Sequence, residues 1–207
     1  MLALGALLLT CPSHLLAKPD EPESLRYRTF WMPSSSMAPT IIAGDRMFAD
    51  MKPKGDPGRG DLVVIGVRNE QWIKRIVALP GDRIAMHAGL VILNGQTIAQ
   101  TANGEYELAN DYGAPPDHAQ KLLEQLPGET HPHEVLELGV TRQDEMPEIV
   151  LGLGQYFLLG DNRDNSMDSR MADRPLEGLG LVSRDRILGR ILYRYWRIGE
   201  GWRRVDL

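Results

Sequence analysis

The sequence contains a single cysteine, Cys11, in 207 residues. An internal disulfide framework and a cysteine-rich zinc site are therefore both excluded. Aromatic residues are scarce, at 6%, and basic charge is not in excess: 23 Lys and Arg stand against 28 Asp and Glu, for a net charge of −5. Phosphate recognition needs a basic face, so nucleic acid is not an expected partner. No uninterrupted apolar run reaches the roughly 20 residues that a membrane-spanning helix requires. The chain also lacks a G-x-S-x-G elbow, a P-loop, an H-E-x-x-H zinc motif and the S-x-x-K spacing of penicillin-recognising enzymes.

What is present is globular composition, with 43% apolar and 25% charged residues. That suffices to bury one core, and the length fits one domain or one domain with an appendage. The 21 glycines and 14 prolines imply many turns between short strands. Residues 1–17, MLALGALLLTCPSHLLA, carry no charge and are interrupted by Pro12-Ser13-His14. They are read as a truncated membrane anchor, the alternatives being a cleaved leader, which would lack its basic start, and a core helix. Residues 18–29, charged and with two prolines, read as a linker.

Beyond the linker the pattern is mainly β. Strand-type runs recur at Arg46–Ala49, Asp61–Val67, Trp72–Leu79, Arg83–Met86, Val91–Leu93, Gln155–Leu159 and Ile187–Trp196. Asn94-Gly95 between VIL and QTIA predicts a hairpin, because a type I′ turn needs two residues at positive φ. Residues 96–150 differ: they are polar, bear prolines, and suggest one short helix, Asp117–Leu126, with Asp117 as N-cap. The expected organisation is a β core from 30–95 and 151–200 with an inserted lobe at 96–150.

Three stretches carry candidate chemistry. Pro33-Ser34-Ser35-Ser36-Met37-Ala38-Pro39-Thr40 is, alone, no more than a serine-rich loop. In Trp72-Ile73-Lys74-Arg75-Ile76-Val77, alternation puts Lys74 on the face of Trp72 and Ile76. Such a lysine either snorkels to water or is desolvated, which lowers its pKa and makes it a usable base. Gly160-Asp161-Asn162-Arg163-Asp164-Asn165-Ser166-Met167-Asp168-Ser169-Arg170 could be an Asx-rich turn, and it lacks the central glycine and distal glutamate of a calcium loop. Of the five histidines none lies in these stretches; His131-Pro132-His133 has no evident third ligand for a metal.

Taken in order, PSSSMAPT, GDLVVI (Gly60–Ile65), WIKRIVALPGDR (Trp72–Arg83) and GDNRDNSMDSR resemble the motif boxes of type I bacterial signal peptidases. LVSRDRILGR (Leu181–Arg190) resembles the last box less closely. The resemblance implies an antiparallel β-sheet catalytic core and a serine–lysine endopeptidase that removes signal peptides from exported preproteins with Ala-x-Ala-type cleavage sites. It implies tethering to the lipid membrane, at the bacterial inner membrane with the catalytic domain on the extracytoplasmic face, and no metal or organic cofactor. By the same resemblance Ser36 is the nucleophile and Lys74 the general base. Ser34 supplies an oxyanion-hole hydroxyl, and Ser166 orients the amine. Asp161, Arg75, Asp168 and Arg170 brace the site, and Met32, Ile41, Trp72 and Ile73 wall the pockets for small side chains. The chain departs from the common pattern at Ser35 and Ala78, where glycine is frequent, and after Arg170.

Physical chemistry makes the pairing reasonable. A serine hydroxyl is a weak nucleophile without an adjacent base. A lysine with pKa about 10.4 is only about 0.4% neutral at pH 8, and half-neutralising it takes roughly 3 kcal/mol of differential solvation. Burial among apolar side chains can supply that. The alternatives are a self-cleaving serine–lysine repressor, disfavoured because no DNA-binding helix-turn-helix is visible, a maturation peptidase for one secreted or conjugative substrate, and a non-catalytic peptide-binding β module.

Overall fold

A computed structural model describes residues 26–108, 117–172 and 178–207. The apolar segment 1–17 and the linker up to residue 25 lie outside the described residues. No helix among the described residues is long and apolar enough to cross a membrane.

The strands, in chain order, are β1 (Tyr27–Trp31), β2 (Arg46–Asp50), β3 (Leu62–Val67), β4 (Glu70–Ala78), β5 (Arg83–His87), β6 (Leu90–Leu93), β7 (Gln96–Thr97), β8 (Gln100–Leu108), β9 (Asp117–Glu124), β10 (His133–Glu137), β11 (Met146–Val150), β12 (Gln155–Leu159), β13 (Val182–Ser183), β14 (Ile187–Arg197) and β15 (Gly201–Asp206). Among the described residues they form three sheets. The largest runs β1-β2-β14-β3-β4-β12-β13, with β15 beside β14; the others run β10-β9-β8 and β11-β5-β6-β7. The fold is antiparallel β, as expected.

β3 and β4 form the middle of the large sheet, and their sequences explain why. Leu62-Val63-Val64-Ile65 is buried at every position, which is what a strand covered on both faces requires. Leu62 and Val64 join Ile73, Met32, Met37, Ile41 and Met47 in one cluster. Val63 and Ile65 join Ile76, Tyr156, Leu158 and Ile187 in another. Alternation thus divides two cores across one strand pair. Full burial of such side chains contributes about 1.5–3 kcal/mol each.

At Asn94-Gly95 both residues take positive φ, 54° and 80°, and Leu93 pairs with Gln96 across the turn, as the dipeptide predicts. The short helix expected over Asp117–Leu126 is not formed. Asp117–Glu124 is β9, the central strand of the three-stranded sheet, hydrogen-bonded to β8 on one side and β10 on the other. Ala119, Lys121, Leu122 and Glu124 are good helix formers, but pairing on both edges satisfies more backbone than an isolated turn or two of helix could. Tyr27–Thr29, within the segment read as linker, belong to β1.

The three-stranded sheet is fastened to the large one by backbone bonds. Leu136 N–H donates to Asp161 C=O at 2.9 Å, and Arg163 N–H donates to Leu136 C=O at 3.0 Å. This short parallel bridge brings β10 against the Gly160–Arg170 stretch.

Phe157 is fully buried in the cluster under β4, β5 and β6. Phe157→Ala should cost about 3–5 kcal/mol in urea unfolding. Val140→Ala, at a side chain 98% exposed, should change stability by less than about 0.5 kcal/mol.

Candidate active site

Three segments far apart in sequence converge on Lys74. The lysine projects from β4, where it pairs with Val63 of β3. Its residue is only 3% exposed, and Nζ lies 2.9 Å from Ser36 Oγ. The Trp72 ring lies on the same face, 5.9 Å from Nζ.

Ser36 sits in a turn held from both sides. Ala38 N–H donates to Ser35 C=O, and Ile41 N–H donates to Met37 C=O, each at 2.9 Å. Met37, wholly buried, anchors the turn in the core. From across the site Asn162 N–H donates to Ser36 C=O at 3.2 Å, and Asn162 Nδ2 to Ser35 C=O at 3.2 Å. Asn165 Nδ2 donates to Ser35 Oγ at 3.0 Å. A side chain at Gly160 would meet the Ser36 carbonyl at 2.5 Å and Ser166 Oγ at 2.2 Å, so only glycine admits this approach.

The charged residues named from the sequence are assembled as ion pairs. Arg75 Nε and Nη2 donate to the two Asp161 oxygens at 2.8 and 2.7 Å, and Nη1 donates to Gly60 C=O at 2.9 Å. Arg170 Nε and Nη2 donate to Asp168 at 2.9 Å each. Asp168 also accepts from Gly160 N–H at 3.2 Å. Ser34 Oγ donates to Ser36 Oγ at 3.3 Å. Ser166 is buried beside Gly160, and its Oγ has no hydrogen-bond partner among the described residues, Lys74 included.

An open groove of about 690 Å³ runs over this centre. Met32, Trp72 and Ile73 line it together with Trp31, Ser34, Ser36 and Lys74. Ile41 does not reach the groove; it is fully buried and packs beneath it with Met32 and Met37.

Burial lowers the Lys74 pKa from 10.5 to about 8. Asp168 and Asp161 oppose this by favouring the ammonium, and Arg170 assists it. Asp161 and Asp168 both remain below the usual carboxylate range: burial alone would raise them, and Arg75 and Arg170 respectively more than compensate. The arrangement is a hydroxyl beside an amine that is readily neutral, which permits proton transfer from Oγ to Nζ.

Among the described residues one group has metal-ligand chemistry: Glu137, Asp144 and Asp164, whose ligand atoms lie within 4.8 Å of one another. Some of its oxygens accept protein hydrogen bonds, while Asp164 Oδ1 is buried without a partner among the described residues. Asp164 accepts from Leu138 and Gly139 N–H, and Asp144 from Thr141 N–H and Oγ1. Burial and the neighbouring Asp164 raise Glu137 to about 8.

The motif reading leaves out Asn162 and Gly160, although both lie in the quoted string, and their only signal is that position. It also leaves out Glu124, which pairs with Arg163, and Glu129, which lies by Arg75, and it does not place His133 between these two glutamates, all three coming from the polar stretch 96–150.

Fold and site together define an antiparallel β protein with a buried lysine amine against a serine hydroxyl at the floor of an open groove. The chain belongs to the family described as signal peptidase, peptidase S26, which it matches over residues 24–196. It is a peptidase of that family, which makes it a serine endopeptidase acting on signal peptides. It is 31% identical to signal peptidase I U of Bacillus subtilis (strain 168) over 178 residues, 84% of this chain and 78% of that protein. It is 33% identical to signal peptidase I of Pseudomonas fluorescens over 184 residues, 78% of this chain and 62% of that one. A solved signal peptidase I from Enterococcus faecalis V583 aligns with 66% of this chain and 97% of its own, at 23% identity and a TM-score of 0.36.

If the neutral amine is the reactive form, kcat/KM should rise with pH through an apparent pKa of about 8 and level off above it. A profile still climbing steeply at pH about 10, near the ordinary lysine value, would mean that Lys74 is not the titrating group.

Proposed function

We propose that Ser36 attacks the scissile carbonyl of an exported preprotein while Lys74 accepts its proton. The observation that carries this is the 2.9 Å separation of Nζ and Oγ, with the amine buried at the floor of an open groove. The tetrahedral oxyanion is held by the Ser36 N–H and the Ser34 hydroxyl, which lies 3.3 Å from the nucleophile. Lys74 then protonates the leaving amine. Water activated by the same nitrogen cleaves the acyl-enzyme and releases the signal peptide. Arg75–Asp161 and Arg170–Asp168 hold the surrounding loop, and no metal or organic cofactor enters any step.

The preprotein lies extended along the groove beside Phe30–Ser34, next to β1, which forms an edge of the large sheet. Met32, Trp72 and Ile73 leave room for small side chains at the first and third positions before the cut, the Ala-x-Ala pattern. Ser166 bears on the amine through packing against Gly160, whose neighbour Asp161 anchors Arg75. The apolar segment 1–17 tethers the protein to the bacterial inner membrane, with the peptidase centre on the extracytoplasmic face.

Ser36→Ala and Lys74→Ala should each abolish turnover almost completely, and the double variant should be little worse, because nucleophile and base act as a unit. Robust cleavage by either single variant would rule out the pair.

Replacing alanine before the cut by phenylalanine should lower kcat/KM on the order of 100-fold, since a displacement of about 1 Å at the carbonyl is that costly. The middle position should tolerate most residues. A peptide series varied at these three positions measures it, and equal cleavage of the alanine and phenylalanine peptides would refute the proposed specificity.

A further inference from the structure

His133 opens β10 and lies in register opposite Glu124 of β9. Its side chain is 8% exposed and stands between two carboxylates. Nδ1 is hydrogen-bonded to Glu129 Oε2 at 3.0 Å, and Nε2 lies 3.5 Å from Glu124 Oε1, an ion-pair distance without a hydrogen bond. Each glutamate has an arginine on its far side. Glu124 takes a two-pronged contact from Arg163, and Glu129 lies 3.5 Å from Arg75. Arg75 in turn holds Asp161. The two branches therefore end on Asp161 and Arg163, the residues flanking Asn162. Asn162 is the residue that binds the carbonyls of Ser35 and Ser36.

We propose that His133, in its protonated form, is a positioning residue for the Ser36–Lys74 pair, closing a buried chain of charges that fixes residues 161–163 against the serine turn. The proposal rests on the serine–lysine reading of the site. Among the residues in direct contact, the charges balance only with the imidazolium present: Arg75, Arg163 and His133 against Glu124, Glu129 and Asp161. With a neutral imidazole the chain carries an unmatched buried anion, and breaking one partner of such a set is far more costly than any single surface pair.

The groups facing the ring are Glu124 from β9, Glu129 from the β9–β10 connection, Arg75 from β4 and Asp161 from the site loop. Burial and Arg75 disfavour the charged ring. The two glutamates and Asp161 outweigh them and raise its pKa above the ordinary value. The stabilisation is thus fully present below about pH 6.5, the unfolded value, and is lost as pH rises through the raised folded value.

The test compares the full-length wild type with His133→Gln and with Glu129→Gln/His133→Gln, in detergent, across pH. Dividing the kcat of wild type by that of His133→Gln removes the Lys74 titration common to both. The ratio should be on the order of tenfold below about pH 6.5, short of the ~100-fold that a 1 Å misplacement can cost, and should fall towards one at alkaline pH. KM should change little, since His133 does not line the groove. The double variant removes one anion with the cation, and it should recover most of kcat. A ratio flat with pH, or a double variant no better than the single one, overturns the proposal. In full-length Ser36→Ala protein, NMR titration of the His133 ring, assigned as the one imidazole signal that survives replacement of His14, His87, His118 and His131 in turn, should give a pKa above about 6.5. A value at or below that also overturns it, even if His133→Gln fails to fold. Cleavage surviving Ser36→Ala would instead defeat the serine–lysine reading, while the ring titration would still decide the charge state of His133.

Discussion

The site depends on keeping water away from one amine. Lys74 is close to two carboxylates, and in a solvated setting either would keep it an ammonium. Both are already committed to arginines, Asp161 to Arg75 and Asp168 to Arg170. What remains at Nζ is mostly the penalty of burial, and burial favours the neutral form. The ion pairs around the site therefore do more than brace loops, because Arg170 offsets part of the field with which Asp168 and Asp161 favour the ammonium, leaving desolvation the larger effect.

This constraint explains the placement of Lys74 in the middle of the large sheet. β4 is flanked by β3 and β12, so a side chain projecting from its centre is walled by neighbours without needing a lid. The cost is that the hydroxyl facing the amine must come from elsewhere. Ser36 arrives on a turn pinned by Met37 in the core and by Asn162 from the Gly160–Arg170 stretch. Gly160 lets the two segments approach within the space a methyl group would fill. The 2.9 Å contact between Oγ and Nζ is thus set by three independent attachments rather than by the two residues that make it.

Local pattern exposed much of this, and its failures have a common cause. β3 was legible because burial on both faces leaves a continuous apolar run, and the β6–β7 turn because Asn-Gly is a backbone requirement. The serine, the lysine and their arginines were legible only as ordered motifs resembling a family. β9 was misread as a helix because Ala119 to Glu124 are helix formers, and only pairing with β8 and β10 overrides that preference. Ile41, named as a pocket wall, sits one layer too deep, since residue spacing cannot separate a groove lining from the core beneath it. Glu124 and Glu129 left no trace at all, and His133 drew notice only as half of a histidine pair without a third metal ligand. The arginines that the glutamates meet, Arg163 and Arg75, lie tens of residues away, and a polar stretch with scattered charges looks the same whether those charges face water or each other.

The last point bears on why residues between 96 and 150 matter to a centre they do not line. β10 reaches the Gly160–Arg170 stretch through the two backbone bonds at Leu136, β9 reaches it through Glu124 on Arg163, and Glu129, between the two strands, meets Arg75 of β4. Buried charges are a costly means of attachment, because each loses its hydration and apolar replacements of equal volume often stabilise as well or better. Apolar contact, however, fixes distance better than orientation. A bidentate guanidinium–carboxylate pair fixes both, since its two parallel bonds tolerate little rotation. The segment 161–163 must present one N–H to the Ser36 carbonyl and one side-chain amide to Ser35, which is an orientational demand. Arg75 and Arg163, gripping on either side of Asn162, meet that demand in a way that a purely hydrophobic interface of the same area would not.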